Sequence, residues 1–425
     1  MATRACSSDH ARRYVGRLLA TIGVTLLVVA AVNIVVDPFQ VWRIVKVAGL
    51  DMVKVPETNW DVVTKIYGIR WIKPRAIILG SSRARMALDP QRIDWRDGVE
   101  PSFNAGVPLG SMRDIRSLFD LAVRTAPVKV ALVELEFHSF DVNSFDLDNN
   151  LKRKDSRLRL RGLPDLLPGL LLMDGLGQSW AILKRYLDMV AHPFFHERRD
   201  GKLEFHAEVF HAPLANDGHE RLFLKQWLNA DPALGFCLRR ADGRESGLAE
   251  LGALLDQARE QGVKVILVLA PSHARRLELI WAAGLRPQFE RWKRELVRSV
   301  SVHQRDSRSP GVVLWDFTHY SHLTTEEFRL VVKGEKPNDY FWESVHFKDR
   351  VGMMVVDAIA HRPNPADPFP PGFGRELTTG NVEEQLAAER LGHEAYRRSH
   401  PAAVAEVERR VAKVEARLGG AKVCQ

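Results

Sequence analysis

From Leu18 to Val36 the chain carries no charged side chain, an uncharged and largely apolar run of 19 residues that is long enough to cross a hydrocarbon core as one helix. Arg4, Arg12, Arg13 and Arg17 precede it, with Asp9 as the one acid. That asymmetry predicts a cytoplasmic N-terminus over residues 1–17 and an anchor over 18–36, with the rest of the chain beyond the membrane. A cleaved signal peptide would share the basic start. The run is longer than an ordinary signal core, however, and no small-x-small site closes it before Asp37, so an uncleaved anchor is expected. Asp37-Pro38 stops the helix, and residues 37–74 read as a membrane-proximal connector with short helices.

Beyond residue 74 the pattern changes to short β-branched runs alternating with amphipathic segments. Strands are predicted at 75–79, 102–105, 128–134, 263–270 and 312–316. Helices are predicted at 111–124, 247–261, 275–300 (broken near Pro287) and 348–361. This alternation predicts an α/β domain over 75–362: a three-layer α/β/α, flavodoxin-like arrangement of a mostly parallel sheet with helices on both faces. Residues of about 145–240 interrupt it and are expected to form a helical insertion or cap. The insertion contains the basic stretch from Lys152 to Arg161, a helix near 166–190 and a segment rich in histidine and aromatics. Prolines between Pro363 and Pro371 mark a linker, followed to residue 425 by an Ala/Glu/Arg-rich helical tail with a break at Pro401.

Composition narrows the functional classes. The chain has 425 residues, is 45% hydrophobic and 27% charged, and carries a net charge of +8. Its basic residues are interspersed with acids and no nucleic-acid module is present, so a nucleic-acid partner is not expected. Cys6, Cys237 and Cys424 are too few and too far apart for a zinc site, and neither a metal nor a cofactor is expected. Cys237 and Cys424 could pair in an oxidising compartment, but unpaired cysteines are the expectation.

The candidate chemistry begins at Arg75–Arg85, RAIILGSSRAR. A buried strand ends at Gly80, Ser81 and Ser82 follow on the turn, and a helix starts at once. A serine hydroxyl at the carboxyl end of such a strand meets the spare amides of a helix N-terminus and lacks only a base. Two carboxylate-x-x-His pairs could supply one, Glu343/His346 and Asp316/His319. At that spacing the carboxylate can hold the imidazole by its Nδ1 and leave Nε2 for the serine. Spacing alone does not choose between them. His273, after the strand at 263–270, either contacts substrate or caps the next helix. Arg83 and Arg85 either fix an anionic sugar or solvate their helix. His192 and His196 have metal-like spacing, but Pro193 breaks the helix that this would need, and they read as loop histidines, while His206 and His211 read as surface or cap residues.

Taken together, these blocks resemble the SGNH (GDSL-like) hydrolase superfamily, in the branch of membrane-anchored envelope proteins linked to polysaccharide O-acetylation. Gly80-Ser81-Ser82 is similar to the first block, with Ser82 as nucleophile. Asn104-Ala105-Gly106 is similar to the second, whose glycine amide serves the oxyanion. Glu343-Ser344-Val345-His346 is similar to the last, with His346 as base and Glu343 as its acid. The likeness covers roughly residues 70–360. The third block is missing from 131–142, leaving His138 or Asn143 to stand in as the side-chain oxyanion donor. The resemblance implies a serine esterase or O-acetyltransferase with oxyanion donors at Ser82 and Gly106, and beside it Arg83, His273 and His138 stand as candidate substrate contacts by their positions. It also implies an acylated envelope glycan or exported polysaccharide as partner, possible cooperation with a membrane-bound O-acyltransferase, and a single-pass location in the inner (cytoplasmic) membrane with the catalytic domain in the periplasm. The alternative it leaves is a catalytically degenerate glycan-binding or scaffold module.

Overall fold

The structure is a computed structural model and describes residues 3–45, 50, 54, 61–95, 98–143, 173–187, 195–205, 212–228, 235–239, 247–304, 311–328 and 338–418. A 34-residue helix α1 (Thr3–Val36) opens the chain. Its segment His10–Val36 is long and apolar enough to cross a membrane, and only 11% of its most apolar window is buried inside the protein. Asp37 ends it by turning its carboxylate onto the next chain segment, where it accepts from the amides of Val41 at 2.7 Å and Arg43 at 2.7 Å.

Helix α2 (Asp61–Ile72) leads into the sheet, whose strands are β1 (Ala76–Leu79), β2 (Ser102–Asn104), β3 (Val130–Leu135), β6 (Lys264–Leu269), β7 (Val312–Asp316) and β8 (Arg375–Glu376). Their order in space is β2-β1-β3-β6-β7-β8. All neighbours are parallel except β8, a two-residue antiparallel edge on β7. The protein is therefore mixed α/β with a mostly parallel sheet. Ala76–Leu79 is buried along its whole length, as a strand covered on both faces requires. The order reverses at β1, so the crevice at the carboxyl ends of β1 and β3 is where a reactive group can be approached.

The flanking helices are α3 (Ser82–Ala87), α4 (Met112–Thr125), α7 (Gly247–Gln261), α8 (Ala274–Ala282), α9 (Arg286–Gln304) and α10 (Asp349–Ile359). The expected helix at 275–300 is two helices, divided before Arg286 rather than at Pro287, which sits in the first turn of α9 where its missing N–H costs nothing. The insertion contributes α5 (Met173–Leu187), a hairpin of β4 (Phe195–Glu197) and β5 (Leu203–Phe205), and α6 (Ala212–Trp227). The tail is α11 (Val382–Ser399) and α12 (Pro401–Arg417), separated at Pro401 as predicted. The basic stretch 152–161 and the positions of His192, His206 and His211 lie outside the described residues. His196 is a buried strand residue of β4 rather than a loop histidine.

Insertion and tail are bound to the sheet by buried ion pairs. Glu197 of β4 receives Lys65 Nζ at 2.6 Å and Arg85 Nη2 at 2.5 Å, and Arg85 also reaches Asp61 at 2.9 Å. Arg85 is thus a buried tie between α3, α2 and the hairpin, which corrects the expectation of a sugar contact or a solvated face. Lys293 of α9 holds Asp316 at 2.7 Å and Glu389 of the tail. Cys237, expected to be unpaired, is disulfide-bonded. Its amide donates to Asp141 Oδ1 at 2.9 Å.

Two stability measurements check these assignments. Lys293→Ala leaves two buried carboxylates without their cation and should cost about 3–5 kcal/mol in chemical denaturation. Asp141 is buried, which pushes its carboxyl up from 3.8 to about 7. The folded state therefore keeps a proton that the unfolded chain releases, so this group favours folding least above pH 7 and its penalty vanishes below its ordinary value. Asp141→Asn should raise the thermal midpoint more at pH 8 than at pH 4, and equal gains would refute the assignment.

Candidate active site

The site begins with the turn after β1. Gly80 has φ +149°, and a Cβ there would lie 2.7 Å from Glu134 Oε2 and 2.9 Å from the Ala84 side chain. Glycine is required for the chain to turn so tightly against β3. Ser81 caps α3, its side chain accepting from Arg83 N at 3.2 Å, while its own amide donates to Glu134 Oε2 at 2.9 Å. Ser82 becomes the first residue of α3, where a backbone N–H has no acceptor within the helix.

The base arrives from the other end of the chain. Residues 341–347 fold back on themselves through the Phe341–Phe347 bridge, and Trp342 N donates to His346 O at 2.8 Å. The turn is braced by Glu326, which accepts from Tyr340 N and Phe341 N, each at 3.0 Å. Helix α10 then packs on α3 at Gly352, where a Cβ would fall 1.9 Å from Ala87 O. This contact seats the turn beside Ser82, and His346 Nε2 lies 2.7 Å from Ser82 Oγ. His346 Nδ1 hydrogen-bonds Glu343 Oε1. Serine, imidazole and carboxylate thus stand in one line.

Glu343 is wholly buried. Burial by itself would raise its carboxyl, but the His346 charge, the hydrogen bond from His346 and the neighbouring His219 ring outweigh it and hold the group well below the usual range. Val345 N donates to Oε2 at 2.7 Å and His346 N to Oε1 at 3.0 Å. The fourth neighbour is a residue that the sequence did not single out. His219 of α6 places Nδ1 3.2 Å from Glu343 Oε2, and the carboxylate raises the His219 pKa despite burial. From the same helix Asn216 Oδ1 accepts from Ser344 N at 2.7 Å. Both side chains come from the insertion and share no local pattern with residues 343–346. Their i, i+3 spacing is the only trace available in the sequence.

The other predicted residues separate clearly. Asp316 is committed to Lys293 and Thr318, while His319 packs edge-on to Phe373 with its ring centroid 5.9 Å away. The alternative acid–base pair is therefore not formed. His273 is the cap of α8: Nδ1 accepts from Arg275 N at 3.1 Å, Nε2 lies 2.7 Å from Glu326 O, and burial pushes its pKa down to about 4. His273 thus caps its helix and also lines the cavity described below. Gly106 N–H is taken by Asn104 Oδ1 at 2.9 Å and so is not presented to an oxyanion in this state. Asn143 Nδ2 bonds Gly235 O at 2.8 Å. His138 sits beside Glu136 at 3.2 Å and against Phe223.

Arg83, expected to fix an anionic sugar or to solvate its helix, is buried next to Ser82. Its Nη1 lies 3.7 Å from Glu134 and 3.9 Å from Glu136, and Arg276 Nη2 reaches Glu136 at 3.3 Å. Burial raises the Glu134 carboxyl. It would raise Glu136 too, but His138, Arg83 and Arg276 hold that group well below its ordinary value. The cluster fixes Glu134, and through Glu134 the amide of Ser81. His219, Glu343 and His346 also bring ligand atoms within 4.8 Å of one another, close enough for a divalent cation. In this state Glu343 Oε1 and His346 Nδ1 bond each other, so a cation would have to replace that hydrogen bond. A cavity of about 700 Å³ adjoins the turn through Asn216 and Glu326 and is lined further by Phe328, Tyr396 and His400.

The geometry assigns graded effects. Ser82→Ala should remove any serine-dependent turnover. Glu343→Gln, which no longer holds the imidazole as an anion, should lower kcat by roughly 10⁴. His219→Ala should lower it on the order of tenfold, as loss of an outer partner does for a metal-bound imidazole. Equal rates for wild type and His219→Ala over pH 5–8 would refute a role for His219. Compared with known proteins, the chain matches no protein-family model and no curated protein, so a functional reading rests on this geometry.

Proposed function

We propose that the protein is a membrane-anchored, extracytoplasmic serine acyl esterase or O-acetyltransferase of the SGNH-like kind, acting on an acylated cell-envelope or exported polysaccharide. The observation that carries the reading is the line Ser82–His346–Glu343, with 2.7 Å between the hydroxyl and Nε2 and a buried carboxylate on Nδ1. The parallel strand order that reverses at β1, with Ser82 at the carboxyl end of that strand, agrees with a flavodoxin-like SGNH fold. The apolar α1 behind four arginines supports a single-pass inner-membrane anchor with its N-terminus in the cytoplasm. A disulfide at Cys237 supports an oxidising compartment such as the periplasm.

In this reading Ser82 Oγ attacks the ester carbonyl while His346 Nε2 accepts its proton. Glu343 stabilises the imidazolium through Nδ1 and does not itself take the proton. The oxyanion develops beside the N–H of Ser82 at the start of α3, where the helix dipole favours negative charge. His346 then returns the proton to the leaving alkoxide. The acyl group passes from Ser82 to water, as in an esterase, or to a sugar hydroxyl, as in a transferase. A membrane-bound O-acyltransferase would be a natural supplier of acyl groups to the transferase form.

One observation favours a second reading, a degenerate module that binds glycan or scaffolds a modification complex. Gly106 N–H is already bonded to Asn104, which leaves one fewer oxyanion donor, and loss of one such donor typically costs about 10²–10³ in rate. The two readings part in an assay of the full chain, in detergent, on p-nitrophenyl acetate. The enzyme predicts turnover above background that disappears in Ser82→Ala, and a transferase further predicts stimulation by an oligosaccharide acceptor. Equal rates in wild type and Ser82→Ala would overturn the enzymatic reading in favour of the binding module.

A further inference from the structure

Helix α5 of the insertion packs against the last turns of α1. Ser179 Oγ donates to Asn33 Oδ1 at 2.8 Å, both buried, and Val36 and Ile182 form a small core with Val32 and Leu183. Val32 and Asn33 lie within the charge-free run, some three or four residues before its end, which is about 5 Å along a helix. If that run crosses the hydrocarbon, a helix packed at this level stands in the lipid–water boundary.

The outward side of α5 suits that position. Trp180, Lys184 and Leu187 fall at i, i+4 and i+7, one stripe of the helix. Trp180 is 66% exposed, Leu187 70%, and Lys184 is exposed between them. Across the α1 exit, Trp71 donates Nε1 to Val41 O at 2.8 Å yet is itself 53% exposed, next to exposed Lys73, and Ile44 is 63% exposed. Outside α1, the exposed large apolar side chains among the described residues gather at this exit, with only Val302 and Leu391 elsewhere. Tryptophan at headgroup depth with lysine beside it is the composition of a membrane interface.

We propose that α5, together with Trp71 and Ile44, forms a docking face seated in the outer lipid–water boundary of the membrane that α1 spans. The proposal rests on the anchor reading of α1. Its occupant is lipid: the face is continuous with the spanning segment, and Lys73 and Lys184 fit anionic headgroups. Two attachments, α1 and this face, would hold the α/β domain at one orientation to the membrane surface rather than leaving it free to swivel.

The test uses the full chain in vesicles of phosphatidylcholine and phosphatidylglycerol, with part of the lipid brominated either near the headgroup or deep in the acyl chain. Tryptophan emission should be quenched more by the shallow bromines. Part of that quenching should be lost in Trp180→Phe and part in Trp71→Phe, the latter also giving up its hydrogen bond to Val41 O, so the far-ultraviolet circular dichroism of both variants is compared with wild type. Extraction at alkaline pH is measured in parallel. Release of the chain by alkali would overturn the anchor and this proposal together. Retention with identical quenching in wild type and both variants would overturn the docking face alone. Quenching lost in the variants only above a threshold protein-to-lipid ratio would assign the face to a second copy of the chain and overturn lipid as its occupant.

Discussion

Glu343 has no contact with solvent, and the geometry of the site follows from how its charge is satisfied. An unpaired carboxylate in such a place would protonate or unfold its surroundings. Here two backbone amides, the ring of His346 and the ring of His219 converge on its two oxygens. The amides come from the same tight turn, so satisfying the carboxylate also fixes the turn. Fixing the turn in turn fixes His346 Nε2 at hydrogen-bond distance from Ser82. The imidazole is oriented before any substrate arrives, which is the condition under which electrostatic catalysis avoids a reorganisation cost.

The same constraint recurs across the carboxyl side of the sheet. Arg83, Arg85 and Lys293 each bury a cation, and each is matched by carboxylates from a distant element: Glu134 and Glu136 on and just after β3, Glu197 in the hairpin, Glu389 in the tail. These pairs contribute little net stability, because desolvation consumes most of the Coulombic gain, but breaking one is costly. They therefore act as specificity devices that permit one placement of the insertion and the tail on the sheet. That placement matters for the site because α6, which carries Asn216 and His219, belongs to the insertion.

This explains which parts were legible in the sequence. The strands and most helices were readable because burial on both faces leaves β-branched runs and one-sided burial leaves helical periodicity, both of which are local patterns. Glu343/His346 and Asp316/His319 have identical spacing, and nothing within either segment distinguishes them. What decides is Lys293, which comes from a helix elsewhere in the chain and captures Asp316. Arg83 and Arg85 read as sugar contacts or a solvated helix face because arginine is usually accessible, and only the tertiary partners Glu136 and Glu197 reveal them as buried. His219 left only its i, i+3 spacing from Asn216, because its partner Glu343 lies far along the chain. The missed buried arginines and His219 are long-range charge pairings, and a periodicity carries no information about those.

The choice between a working enzyme and a silent relative also turns on the cost of buried charge. A glycan-binding module gains nothing from holding Glu343 ionised at zero exposure beside two imidazoles, and an apolar or amide residue in that turn would satisfy packing at lower desolvation cost. Nor does a binding surface need an N-terminal helix amide and a serine hydroxyl aligned on one imidazole nitrogen. Against this stands the engaged amide of Gly106, held by a side chain, Asn104, whose Nδ2 is itself tied to Ala84 O and Leu88 O. Asn104 therefore cannot turn away without loosening α3, so the Gly106 amide is the more firmly withheld of the two expected oxyanion donors. Under the proposed acyl-transfer reading, the charge stabilisation available to Ser82 would fall chiefly on its own amide and the dipole of a short helix, and the rate would be limited by that oxyanion support.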